Sequence, residues 1–279
     1  MSIQLIPYKP AGTIGSGPYV LREYKPDTGI DVSALSITYT GAHTDYGMVT
    51  MSDGARYRLL AFTSSGTLSI EQPVNCKVCV VGGGANGAEA TQSQGGDGGA
   101  GAYMKNQAVS AYNGGSVVVG ASQGVSSIAG VSVNAVSGKN GGTGAGGKTA
   151  GTGDGISKYP FEDTGYSLWA GKPHCAGGGQ GATEREGKGY TGGNGGTNGG
   201  NGYPRGSSQV SNPPAGKGGS YGGGAGGSAG QGENATYYGS GAGGGRYYNS
   251  GGDDFFNNGG SGYQGIVYIR IPVIQQRGE

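Results

Sequence analysis

Gly82, Gly84 and Gly87 stand directly behind the strand expected at 76–81, with the G-x-G-x-x-G spacing that lets a dinucleotide pyrophosphate approach a helix N-terminus. That chemistry needs a helix next, but residues 88–94 run straight into Gly95-Gly96. No strand ends in an acidic residue about twenty positions on, where a ribose would be held. Gly218-x-Ser220-x-Gly222 and Gly226-x-Ser228-x-Gly230 share the spacing of a nucleophile elbow, which requires a strand before and a helix after; neither has them. His43 and His174 are the two histidines, and no acid supports either at a recognisable spacing. Cys76-x-x-Cys79 has zinc or redox spacing, yet residues three apart on a strand point to opposite faces, so both read as buried small apolar residues. His174-Cys175 is a lone pair, and Asp97, Asp154 and Asp253-Asp254 fall outside the repeat that builds calcium sites. Glu162-Asp163 and Glu184-x-Glu186 carry the residue types for glycosidic cleavage. The expectation is a protein with no cofactor, no metal and no catalytic set, with a surface-polysaccharide-degrading enzyme left open by the carboxylates.

The elements that would position any site are unusual. Of 279 residues 69 are glycine; eight of them fall in residues 1–81 and two in 263–279, so the middle is about one-third glycine. Glycine buries no side chain and loses the most freedom on folding, so disorder is the default for such a segment. Nineteen tyrosines and Val-rich strands interleaved with the glycines argue instead for a folded domain. Strand patterns are expected at 33–39, 57–62, 67–70, 76–81, 102–109, 116–119, 131–135 and 265–273, with none of useful length from 138 to 262. This predicts an all-β fold in three parts: an N-terminal β segment over 1–56, a glycine-rich domain over 57–273 and a tail over 274–279. Within the domain, a small sheet or sandwich anchors a glycine insertion over 138–262. The insertion must order through its backbone. Polyglycine II suits it, because rods with three residues per turn and no Cβ can hydrogen-bond sideways. Triplet-like runs at 95–100, 192–197 and 222–230 fit, whereas the broken period and scarce proline exclude collagen.

A net charge of +1 gives no pull toward nucleic acid or a membrane surface, and no Arg-Gly-Gly triplet occurs. The N-terminus lacks the basic start and long apolar stretch of a signal peptide, which implies a cytosolic product or one that leaves in an assembled particle. Three cysteines make no disulfide framework. Between the glycine runs lie large side chains: Tyr159, Phe161, Tyr166 and Trp169; Tyr190; Tyr203; Tyr237 and Tyr238; Tyr247 and Tyr248; Phe255 and Phe256. Glycine rods cannot bury these, so they are expected at rod ends, as recognition surfaces or as plugs that cap the bundle.

Val80-Val81-Gly82-Gly83-Gly84, the long glycine insertion and the closing Gly260-Ser261-Gly262-Tyr263-Gln264-Gly265-Ile266-Val267-Tyr268-Ile269-Arg270 resemble the glycine-rich domain of phage and prophage tail proteins. Leu60-Ala61-Phe62-Thr63-Ser64-Ser65-Gly66-Thr67-Leu68 is similar to the opening strand turn of that family, and the resemblance spans 57–273. The glycine part is also similar to the distal adhesins of T-even-like phages, in which polyglycine helices carry loops that touch the bacterial receptor. The resemblance implies a virion protein that attaches through residues 1–56 to other tail proteins. It would bind a bacterial surface protein or glycan through the twelve aromatic residues named above. A purely structural fibre or baseplate part is the rival it leaves open.

Overall fold

The computed structural model describes residues 30–91, 95–96, 98–133, 159–178, 183–185, 188–190, 218, 224–225, 231–250 and 253–273. The fold is all-β, with one 3-10 turn over Pro160–Glu162 and no α-helix among the described residues. Among the described residues twelve strands run in chain order: β1 Ile37–Tyr39, β2 His43–Thr50, β3 Arg56–Phe62, β4 Gly66–Val81, β5 Met104–Val118, β6 Ser126–Ile128, β7 Val131–Val133, β8 Thr183–Arg185, β9 Lys188–Tyr190, β10 Tyr247–Ser250, β11 Asp253–Phe256 and β12 Ile266–Pro272.

The larger sheet has the order β2-β3-β12-β4-β5-β6-β7, with β1 also paired to β4. Period-two alternation decides what each face buries. On β12, Val267, Ile269 and Ile271 join Leu60, Phe62, Val78 and Val80 in one core. Ile266 and Tyr268 join Leu59, Ala61, Cys79 and Val81 in a second core on the opposite face. Cys76 and Cys79 accordingly lie in different cores, and burial pushes their thiols up to about 11 and about 12.

Three expectations are corrected. The pairs expected at 67–70 and 76–81 form one strand, β4, and those at 102–109 and 116–119 form another, β5. Pro73 has no N–H to give to the ladder, so the register shifts between Ser69 and Val74 and the strand continues. Residue 56 is no boundary either, because β1 and β2 pair into the same sheet and Val32, Leu35 and Met51 are buried in its cores. Finally, β8 to β11 form a separate sheet in the order β11-β10-β8-β9, inside the region expected to hold no strands. Their three- and four-residue lengths are too short to leave an alternation signal.

Between the two sheets the chain passes back and forth in glycine-rich segments that order by backbone hydrogen bonds. They are g1 (82–91), g2 (95–96 and 98–103), g3 (174–178), g4 (224–225), g5 (231–235), g6 (239–246) and g7 (257–265). The bonds recur every third residue. Gly84, Gly87 and Ala90 donate to Tyr263, Gly260 and Asn257, while Gly96, Gly99 and Ala102 donate to Gly245, Ala242 and Gly239. Two of the segments, g1 and g2, precede residue 138, so the glycine region starts where β4 ends.

The segment g6 is central. Its N–H groups reach g1 (Ala242 to Ala85, Gly245 to Ala88), g3 (Gly241 to Ala176) and g5 (Gly243 to Glu233). Its carbonyls accept from g2 (Gly96, Gly99 and Ala102), g4 (Gly224 to Gly241) and g7 (Gly260 to Gly243, Tyr263 to Ser240), all at 2.7–3.0 Å. At its start, Gly239 also donates to Gln264 of g7. The perimeter is bonded as well: g1 to g2, g2 to g3, g4 to g5, g5 to g7 and g7 to g1. Among the described residues six segments therefore border g6, and along the bonded perimeter from g3 to g4 donor-facing and acceptor-facing neighbours alternate.

Such close approach leaves no room for side chains at the contacts. A Cβ on Gly84, Gly87, Gly99 or Gly241 would overlap a backbone carbonyl of the neighbouring segment, inside the 3.0 Å that real Cβ atoms keep. Gly84 and Gly87 of the dinucleotide-like motif are thus accounted for by packing between g1, g6 and g7.

Candidate functional site

Residues 159–171 fold over the second core as a tight loop organised by Asp163. Its carboxylate accepts from the Ser52 hydroxyl and backbone N–H and from the N–H groups of Gly165 and Tyr166. Burial works to raise the Asp163 pKa, but these hydrogen bonds outweigh it and hold the group below its ordinary value. The Asp163 carbonyl accepts the Trp169 indole N–H at 2.6 Å, which pins the ring beneath the loop. Trp169 is 0% exposed and packs against Phe161, Tyr166 and Tyr268, with centroids 6.1, 4.8 and 5.6 Å away. Arg270 stacks over both Tyr57 and Phe161, 4.4 and 4.7 Å from their centroids.

The same belt continues along the sheet toward the segment ends. His174 Nε2 lies 3.0 Å from the Tyr268 hydroxyl, and its ring meets Tyr237, Tyr238 and Tyr268. Burial lowers the His174 pKa to about 3 and raises that of Tyr268 well above 10, so the bond joins a phenol and a neutral imidazole. At the belt's outer rim stand Tyr46, Tyr166, Tyr238 and Tyr263. Tyr46 occupies a β-bulge between Asp45 and Met48, braced by the Asp45–Arg58 ion pair at 2.7 Å. A bulge re-aims the side chain it carries.

A second aromatic group lies at the other end of the bundle, on the hairpin β10–β11. Register places Tyr248 opposite Phe255 and Tyr247 opposite Phe256, and each pair stacks, at 5.2 and 5.7 Å. Arg246 lies 5.3 Å over the Tyr248 ring. Asp254 accepts from the Tyr247 hydroxyl and from Asn249 Nδ2, which ties the two strands together. Phe255 and Phe256 are 48% and 39% exposed.

The twelve aromatic candidates therefore divide. Trp169, Phe161 and Tyr247 are buried, and this corrects their expected place on a recognition surface: they are plugs. Tyr159 is half-buried against the second core. Tyr166, Tyr237 and Tyr238 belong to the belt, joined there by Tyr46, Tyr263 and Tyr268, which the reading by glycine-run interruptions passed over. Tyr248, Phe255 and Phe256 form the distal face. Tyr190 ends β9 and pairs through its backbone with Thr183, while Tyr203 lies outside the described residues. Most of both Gly-x-Ser-x-Gly motifs, together with Asp97, Asp154 and Glu186, also lies outside them. Among the described residues, no group of three or more His, Cys, Asp or Glu side chains could hold a metal ion, and no helix is long and apolar enough to cross a membrane. Compared with known proteins, the chain matches no family model and no curated protein.

Proposed function

We propose that the protein is a rigid display module that binds a host surface non-covalently, as the receptor-binding component of a phage tail fibre or tail-like particle. The observation that carries this reading is the position of the exposed Phe255–Phe256 strand, at the end of the bundle opposite the described chain ends. Segments g1 and g7 join the large sheet at Val81 and Ile266, which pair there. Residue 273 and residues 32–35 bond to Arg56 and Arg58 at the far end of that sheet. Attachment through the sheet end and contact through the hairpin would use the bundle as a spacer.

The three-residue bonding period and the alternating neighbours of g6 support polyglycine II rods as the geometry of that spacer. At ~3.1 Å per residue such rods hold the hairpin roughly 25 Å from the sheet. A scaffold already ordered by its own backbone adds little ordering cost when a partner binds. Aromatic side chains on its tip supply rigid, amphipathic contact area. The resemblance to the glycine-rich domain of phage tail proteins supports the same reading, and on that reading the protein belongs to a virion assembled in the host cytoplasm.

The test is binding of the full chain to envelope fractions of bacterial hosts, comparing wild type with the double variant Phe255→Ala, Phe256→Ala. Both side chains are exposed, so the variant should keep the wild-type Tm while losing at least about tenfold in binding, the equivalent of ~1.4 kcal/mol. Unchanged binding would leave a structural fibre role as the better account. Release of reducing sugar from host capsule would favour the polysaccharide-degrading enzyme.

A further inference from the structure

We propose a second binding site, for the ring of a neutral pyranose sugar, at the sheet-proximal rim where Tyr46, Tyr166, Tyr238 and Tyr263 converge. The inference goes beyond the distal-hairpin reading and does not rest on it, because the two surfaces lie at opposite ends of the bundle. The four tyrosines come from four separate segments: the β2 bulge, the Asp163 loop, the turn between g5 and g6, and g7. Three of them are held by neighbouring rings. Tyr238 meets Tyr263 edge-on at 5.6 Å and Tyr237 at 5.3 Å, and Tyr166 meets the buried Trp169 at 4.8 Å. Tyr46 and Tyr263 remain 39% and 36% exposed. The Tyr46 phenol lies near enough to Tyr166 and Tyr238 to contribute, after burial, to raising the pKa of each. Among the described residues, the hydroxyls of these four tyrosines take part in no hydrogen bond with the protein, whereas the deeper Tyr268 hydroxyl bonds to His174.

The chemistry of the rim selects its ligand. A purely apolar ligand would cover four phenol hydroxyls and leave them unpaired, which costs about 1–3 kcal/mol for each buried group. The charges that the structure shows beside the rim are already partnered. The Asp163 carboxylate beside Tyr166 is filled by Ser52, Gly165 and Tyr166, and Asp45 beside Tyr46 is paired with Arg58. A pyranose offers what is missing: a C–H face to lie on an aromatic ring, edged by hydroxyls that donate to and accept from phenols. The rim is also pre-formed, since the bulge, the Asp163 loop and the lattice around g6 each fix one wall.

The experiment is saturation-transfer NMR on the full chain. The neutral probes are methyl α-glucoside, methyl α-mannoside, methyl α-galactoside and N-acetylglucosamine, and glucuronate and tetramethylammonium are charged comparators. At least one neutral probe should receive saturation on its ring protons. That signal should fall about tenfold in the variant Tyr46→Ala, Tyr263→Ala, whose two replaced side chains are surface ones, and survive in Phe255→Ala, Phe256→Ala. A thermal melt of each variant shows that the fold is kept. The proposal is overturned if no neutral sugar is saturated, if only a charged comparator is, or if the tyrosine variant retains the full signal. Loss of the signal in the hairpin variant alone would also overturn it, while leaving the distal face as the protein's binding surface.

Discussion

Replacing Gly241 with alanine tests the lattice at its centre. The new Cβ would point at the Gly99 carbonyl and stand only 2.7 Å from the Ala100 oxygen, and both of these atoms are backbone in g2. Backbone cannot rotate aside, so g6 and g2 must part. Three hydrogen bonds lie along that seam, from Gly96, Gly99 and Ala102, each 2.7 Å long. At ~1 kcal/mol per bond, with ~1–3 kcal/mol for overpacking and less than ~1 kcal/mol regained from a stiffer unfolded chain, the net loss is about 3–6 kcal/mol. Gly130→Ala is the control: its φ of +74° is strained for alanine, but a Cβ there meets nothing within 4 Å. That variant should lose only ~1–2 kcal/mol. Urea unfolding can be followed through the one tryptophan, the fully buried Trp169. If Gly241→Ala unfolds within 1 kcal/mol of wild type, or no earlier than Gly130→Ala, the close backbone lattice is refuted.

Two further outcomes are expected from the belt. His174 has a folded pKa of about 3 against 6.5 when free, so the unfolded chain takes up the proton first and stability declines as pH falls below about 6.5. From pH 7 to pH 4.5 this amounts to about 2.5 kcal/mol. The variant His174→Gln, whose amide can still face the Tyr268 hydroxyl, should be spared that loss, and equal pH dependence of the two proteins in urea titrations would contradict it. Trp169→Ala should destabilise the fold by about 3–5 kcal/mol, because it empties a buried site and removes the indole bond to Asp163. A wild-type Tm in that variant would return Trp169 to the surface where the sequence had placed it.

The contrast between Trp169 and Phe255 marks how far the sequence alone reaches. Both interrupt glycine runs and both are large aromatics, so composition assigns them the same place. The deciding fact is what lies opposite. Asp163 folds its loop back over Tyr268 and buries Trp169, whereas β11 pairs on one side only and leaves Phe255 in solvent. Tyr46 leaves no sequence signal for a related reason, since its bulge is a two-against-one mismatch with β3 and exists only when the strands are paired.

The local pattern was nevertheless enough for the all-β class, for the buried and opposed Cys76 and Cys79, and, in the described glycine segments, for ordering by backbone instead of side chains. The triplet-like run at 192–197 and most of that at 222–230 lie outside the described residues. Period-two alternation and the absence of Cβ atoms are properties of the chain itself. What the tertiary structure alone decided was which segments bond to which, and with that the central place of g6, the second sheet and the division of the tyrosines into plugs and rims. The physical reason is that a glycine triplet carries no side chain to specify a neighbour. Each segment's partners are chosen by the strands and loops that deliver it into the bundle, and no window of sequence contains that information.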